Sequence, residues 1–155
     1  MPSQPAPSRS RVLILEEFLP FRLSVLSNRV SSAVARLYED RFDLKLPEWR
    51  IMAIVGRNPN LTASQIVDIS RMDKVAVSRA VKRLVEMGRL TATSDPDDAR
   101  RQRLNLSEAG WEIYAQIVPL ALGVEERLLA DMDEAERAVV DRVITRLTEA
   151  AAKLD

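Results

Sequence analysis

The side chains with the most usable chemistry lie between Arg71 and Arg103, and they are cationic. This stretch holds nine Lys and Arg against five Asp and Glu. If residues 74–84 are helical, Val75, Ser78, Arg79 and Lys82 fall at i, i+3, i+4 and i+7 and share one face. Such a face suits a polyanion whose edges carry a code. Arg can donate two bonds to guanine, Ser can bond a base or a phosphate, and Val can touch a thymine methyl. Lys74, Lys82 and Arg83 suit phosphates or base edges. A second cationic group follows at Arg100, Arg101 and Arg103. Arg100 fits a narrow minor groove, where the negative potential is strongest, and Asp98 is spaced to hold its guanidinium extended. Thr62 and Ser64 stand at a helix start, whose backbone N–H groups can meet a phosphate.

Local signals supply the elements that must position these groups. Thr62 with Gln65 three residues on forms a capping box, and Ile66 and Ile69 fit the apolar face of a short helix. Ser70-Arg71-Met72 reads as a turn, and Asp73 caps the next helix. In that helix Val77, Val81 and Leu84 make a buried stripe, and Gly88 suits a left-handed C-terminal cap. Leu90-Thr91-Ala92-Thr93 reads as a strand leading into the turn cluster Ser94–Asp98. Arg101–Leu106 alternates polar and apolar residues, as a half-buried return strand does. Helix, turn, cationic helix and basic hairpin, in that order, describe a winged helix-turn-helix.

At the hairpin the chain resembles the MarR (multiple antibiotic resistance regulator) family of bacterial transcription factors. The resemblance rests on Asp97-Asp98-Ala99-Arg100-Arg101-Gln102-Arg103-Leu104-Asn105-Leu106-Ser107-Glu108-Ala109-Gly110, which matches the family's wing signature. Lys74–Val81 also looks like the family's recognition helix, and the likeness spans roughly residues 12–153. Pro47 stands where the family often has a Thr or Ser cap; proline suits a first helical turn.

Composition limits the alternatives. The 155 residues make one domain-sized chain with no apolar run of membrane-spanning length. Residues 1–11 lack an apolar signal core and read as a flexible arm, so a cytoplasmic location is expected. With no Cys and no His, thiol sensing, disulfides and most structural zinc sites are excluded, and no catalytic residue, metal or cofactor is expected. The formal net charge is zero, but it is divided: residues 71–103 carry +4, residues 1–70 carry +2 and residues 108–155 carry −6. A local positive patch is what phosphate contact requires.

Outside the motif, residues 12–44 are helical in pattern, with Leu26, Val30, Val34 and Leu37 on one stripe and Pro20 interrupting the start. A helix over 47–56 ends at Gly56; Ser107 caps a long helix to about Leu129, with Ile113, Ile117 and Leu120 on one face; Asp133 with Glu136 starts a last helix bearing Val139, Val140, Val143, Ile144 and Leu147. The expected fold is mainly α with a small β wing: a winged helix-turn-helix over 47–107, flanked by dimerisation helices over 12–46 and 108–155. These apolar faces have little to cover them in one small domain, so a homodimer reading a pseudo-palindrome in double-stranded DNA is expected, as the resemblance also implies. A folded-back monomer is the alternative.

Family members often bind small aromatic or anionic compounds between the two parts. Ser24, Asn28, Arg29, Trp49, Met52 and Tyr114 are candidates here, with Arg29 for a carboxylate and Trp49 and Met52 for a ring. Ordinary core roles for Trp49 and Met52 compete with that. The expected function is a repressor released by an aromatic acid or its thioester. The alternative is a winged-helix protein-interaction module without sequence-specific DNA binding.

Overall fold

A computed structural model describes residues 12–154, and the arm assigned to residues 1–11 lies outside them. Its elements are α1 (Leu19–Ala35), α2 (Glu39–Phe42), α3 (Leu46–Arg57), α4 (Ala63–Ser70), α5 (Lys74–Glu86), β1 (Leu90–Ser94), β2 (Gln102–Leu106), α6 (Glu108–Leu128) and α7 (Glu134–Ala151). The helical pattern over 12–44 is therefore not one helix. Pro20 sits in the first turn of α1, where it has no intrahelical N–H bond to lose. Turn residues 36–38 then separate α1 from the short α2, and Asp43 ends α2 in the left-handed conformation at φ 51°.

The core is built where α3, α4 and α5 meet the hairpin and α6. Ile51, Met52, Ile66, Val77, Leu84, Leu104 and Ile117 are all fully or almost fully enclosed. On α5, Val77 and Leu84 are buried and Val81 is partly so, as the stripe predicts. Ile69 departs from expectation: it is 51% exposed, and the eight-residue α4 is anchored by the buried Ile66 with Ala63 and Val67 packed beside it. Helix α3 runs one residue past Gly56, because Asn58 closes it by donating its N–H to the Ile54 carbonyl.

The two strands pair antiparallel from Leu90↔Leu106 to Ser94↔Gln102. This register puts Leu90, Leu104 and Leu106 on the buried face. Leu61 adds an isolated bridge to Leu104, which ties the hairpin to the start of α4.

Helices α6 and α7 start where the caps predict. Ser107 Oγ accepts the Gly110 N–H at 3.0 Å, and Asp133 Oδ1 accepts the Glu136 N–H at 2.8 Å. Helix α6 continues through Pro119, which removes one donor from its ladder. Helix α7 buries no residue. Met132, Val139, Val143 and Ile144 are exposed, as are Phe21, Leu23 and Leu26 on α1 and Leu120, Leu122 and Leu128 on α6.

Candidate nucleic-acid interface

Two caps aim the helices of the motif. Thr62 Oγ1 accepts the Gln65 N–H at 3.3 Å, while Gln65 Oε1 accepts the Thr62 N–H at 2.9 Å. Arg71 takes the left-handed conformation at φ 55° and reverses the chain. Asp73 Oδ1 then accepts the N–H groups of Val75 and Ala76 at 2.9 and 3.0 Å, which fixes the start of α5. Gly88, at φ 69°, ends that helix as expected. Thr62 is thus a buried cap whose own N–H is already used, and Ser64 is the exposed member of the pair.

The structure sorts the cations by what they already hold. Val75, Ser78 and Arg79 are exposed together on α5, with Lys74 at its first turn. Among the described residues Lys74, Arg79 and Arg100 make no ion pair. Lys82 makes only a long exposed contact to Glu86, at 3.8 Å. An exposed pair of this kind holds a side chain weakly. Arg83 is different: its Nη1 lies 2.6 Å from Glu48 Oε2 and its Nη2 lies 2.9 Å from Asp43 Oδ2. Those bonds to Glu48, against the opposing effect of desolvation, raise the Arg83 pKa further, so it stays charged.

The wing is organised by its acids, though not quite as the spacing suggests. Asp98 Oδ1 accepts the Arg100 backbone N–H at 3.0 Å, while its Oδ2 pairs with Arg101 Nε at 3.4 Å. Asp98 therefore orders the tip backbone and restrains Arg101, whereas the Arg100 guanidinium makes no ion pair among the described residues. The stronger anchor, absent from the sequence expectations, is Asp95. This residue is 5% exposed, accepts the Asp97 N–H at 2.9 Å and pairs with Arg103 Nε at 2.7 Å. The Asp97 N–H and Arg103 together hold the Asp95 carboxyl below its usual range. Arg103 also donates to the Asn60 carbonyl at 3.1 Å, so its guanidinium faces the loop before α4. Between wing and α4 lies a cleft of about 520 Å³ lined by Ser64, Gln65, Arg100, Arg101 and Gln102. A cationic wing and a helix start facing one cleft suit a phosphate backbone.

The candidate effector residues are spread over different settings. Ser24 and Asn28 are exposed on α1, and Arg29 lines an open groove between α1 and α6 with Arg36 and Arg127. Met52 is wholly buried and Trp49 nearly so. Trp49 lies between Tyr38 and Tyr114, with ring centroids 5.9 and 5.8 Å away, and Trp111 meets Tyr114 edge-on at 5.3 Å. Tyr38 was not anticipated. It is fully enclosed, and its hydroxyl finds no hydrogen-bond partner among the described residues. Burial, aided by Glu39, pushes its pKa up to about 12.

Comparison with known proteins agrees with this geometry. The sequence profile of the MarR family matches residues 42–101. The HTH-type transcriptional repressor IacR of Pseudomonas putida is 22% identical over 129 residues, which are 83% of this chain and 77% of that protein. The crystal structure of a MarR/EmrR family transcriptional regulator from Acinetobacter sp. ADP1 is 26% identical, with a TM-score of 0.82 over 91% of this chain and 99% of that one. A MarR family regulator from Listeria monocytogenes, complexed with 26mer DNA, is 19% identical, with a TM-score of 0.81 over 88% of this chain and 90% of that one. No helix among the described residues is long and apolar enough to cross a membrane. Residues 42–101 thus carry a MarR-family segment, and the chain shares the winged-helix fold of transcriptional regulators of that family.

Proposed function

We propose that this chain is a homodimeric, sequence-specific repressor that is released from its operator by a small anionic ligand. The observation that carries the reading is the exposed set Lys74, Val75, Ser78 and Arg79 on α5, in which both cations are unpaired among the described residues. Arg79 and Ser78 read base edges, Val75 meets a thymine methyl, and Lys74 and Lys82 take phosphates. Arg100 enters the minor groove, with Arg101 and Ser64 on the backbone. Thr62, Asp98 and Arg103 hold this surface in shape. Repression is supported by the likeness to IacR, and DNA contact by the likeness to the complexed Listeria protein.

Dimerisation is supported by α7. An 18-residue helix with no fully buried residue has little to stabilise it in isolation. A second copy would cover α7 with α1 and α6, and the two-fold would set half-sites about one helical turn apart. Residues 12–46 and 108–155 then serve dimerisation, residues 47–107 read DNA, and the protein works in the cytoplasm. The ligand is an aromatic carboxylate or its thioester, bound near Ser24, Asn28, Arg29, Trp49 and Tyr114, with Met52 as packing behind them. It acts by favouring a dimer whose recognition helices are wrongly spaced, weakening operator binding by roughly 5- to 150-fold.

The test is fluorescence anisotropy at fixed, near-physiological salt. The duplex is one selected by this protein from a random library, compared with its scrambled version. A preference of about 10³ or more is expected, with one dimer bound per site. Equal, weak binding to both would refute the reading and favour a protein-interaction module.

A further inference from the structure

We propose that Glu48 and Arg83, completed by Asp43 and Arg89, form a positioning joint that sets the angle of α5 for operator reading. The proposal rests on the DNA-reading function above. It also removes Arg83 from the DNA contacts that its place on the helix suggests.

Glu48 is 3% exposed. A carboxylate so enclosed is costly unless it is compensated. Two short bonds do so: the Lys45 N–H at 2.7 Å and Arg83 Nη1 at 2.6 Å, both to Oε2. The first fastens Glu48 to the start of its own helix. The second crosses from α3 to the last turn of α5, where a cation is also favoured by the helix dipole. Asp43 adds two more acceptors. Its carboxylate takes Arg83 Nη2 at 2.9 Å and its carbonyl takes Nη1 at 3.3 Å. One guanidinium therefore ties the end of α2, the start of α3 and the end of α5.

Arg89 extends the joint towards the wing and α6. Its guanidinium is close enough to Asp43, Glu48 and Arg83 to feel all three charges, desolvation depresses its pKa, and its Nη1 is buried without a partner among the described residues. Its carbonyl accepts the Ser107 N–H at 3.1 Å, and the Gly88 carbonyl accepts Ser107 Oγ–H at 2.6 Å. Apolar contact resists sliding weakly because it has no direction. A planar guanidinium between fixed acceptors holds orientation. Since α5 carries Val75, Ser78 and Arg79 on a rigid rod, an angular error at its C-terminal end displaces the reading face at the other.

The experiment is operator binding by Glu48→Gln, Arg83→Ala and the double variant, on the selected duplex and its scrambled control, across a salt series. A wild-type chain that selects no sequence refutes the DNA-reading function itself, before any variant is compared. Given selection, each single variant should weaken operator binding about tenfold, within the range of couplings carried by residues that touch no ligand. Scrambled-duplex binding should change less than about twofold, the double variant should be no worse than Arg83→Ala, and the salt slope should not move. Arg83→Lys keeps the charge but not the fork and should fail to restore affinity. If Arg83→Ala lowers the slope by about 0.9 while Glu48→Gln binds as well or better, Arg83 is a phosphate contact and the joint is refuted. Lower melting temperatures with unchanged affinity of the folded protein would equally overturn it. Should Glu48→Gln fail to fold, Asp43→Asn decides. Its carboxylate is 78% exposed, and Asn accepts a left-handed backbone. It should weaken operator binding in the same direction, and unchanged binding refutes the joint.

Discussion

Gly110→Ala should destabilise the protein although it places a better helix former inside a helix. Gly110 is the third residue of α6, where propensity alone would favour Ala by about 1 kcal/mol. A Cβ at this position would lie 2.1 Å from the Arg89 carbonyl oxygen and 3.1 Å from its carbon. Both are backbone atoms, so no side-chain rotation relieves the contact, and α6 must move away from the segment that follows α5. Overpacking of this kind costs about 1–3 kcal/mol. The movement also strains the Ser107 N–H bond to Arg89, worth about 1 kcal/mol, and the Ser107 cap, worth about 1 kcal/mol. Setting about 3–5 kcal/mol of loss against the propensity gain leaves a net destabilisation of about 2–4 kcal/mol. With a urea dependence of about 2 kcal/mol per molar, the midpoint should fall by about 1–2 M. Gly123→Ala is the control within the same helix, since its Cβ would meet nothing within 4 Å. It should be neutral or up to about 1 kcal/mol stabilising. Both belong at one fixed protein concentration, because the dimerisation proposed above would make apparent stability concentration-dependent. A Gly110→Ala protein as stable as Gly123→Ala would refute the close-approach reasoning.

Four further outcomes are expected. Arg79→Ala should cost about 1–3 kcal/mol on operator DNA and relax preference at one base pair per half-site; equal weakening on scrambled DNA in the anisotropy assay would contradict base reading. Arg100→Ala should lower the slope of log affinity against log salt by about 0.9 per wing, and an unchanged slope would take the wing tip off the DNA. The Tyr38 phenol, with its pKa moved from 10.0 to about 12, stays protonated in the folded chain after the unfolded chain has ionised. Its contribution is thus full below pH 10 and lost as pH climbs towards 12, by about 2–3 kcal/mol; denaturation of Tyr38→Phe from pH 9 to 12 should show a correspondingly smaller loss. Asp95 runs the other way: its depressed pKa gives stability that is present above pH 3.8 and lost as pH falls through the lower folded value. Asp95→Asn should therefore flatten the acid limb of the stability profile between pH 5 and pH 2, and an unaltered limb would remove Asp95 as the wing's anchor.

The features legible in the sequence are those whose partners lie two or three residues apart. Thr62 with Gln65, Asp73 with Val75 and Ala76, Ser107 with Gly110, and Asp133 with Glu136 all close within one helical turn, and Gly88 needs only its own φ. The buried stripe of α5 and the alternation of β2 are likewise periodic properties of one element. The likeness to a family rests on the same kind of short segment, the wing.

What the tertiary structure decided is which cations the protein's own acids hold and which are left unpaired among the described residues. Arg83 looks like any other cation on α5 until Asp43 and Glu48, 40 and 35 residues earlier, are folded against it. Arg103 and Asp95 meet only because the hairpin register places Ser94 opposite Gln102. Asp98 engages Arg101 rather than the Arg100 guanidinium because the tip turns its backbone N–H towards that carboxylate. Ile69 has a periodic position but is left half exposed by the described residues, and the enclosed Tyr38 packs on Trp49 of α3, which in turn packs on Tyr114 of α6. Helix caps are short-range and can be read along the chain. A charge's freedom to meet DNA depends on every acid that the fold brings within about 4 Å of it, and that distance is set by packing.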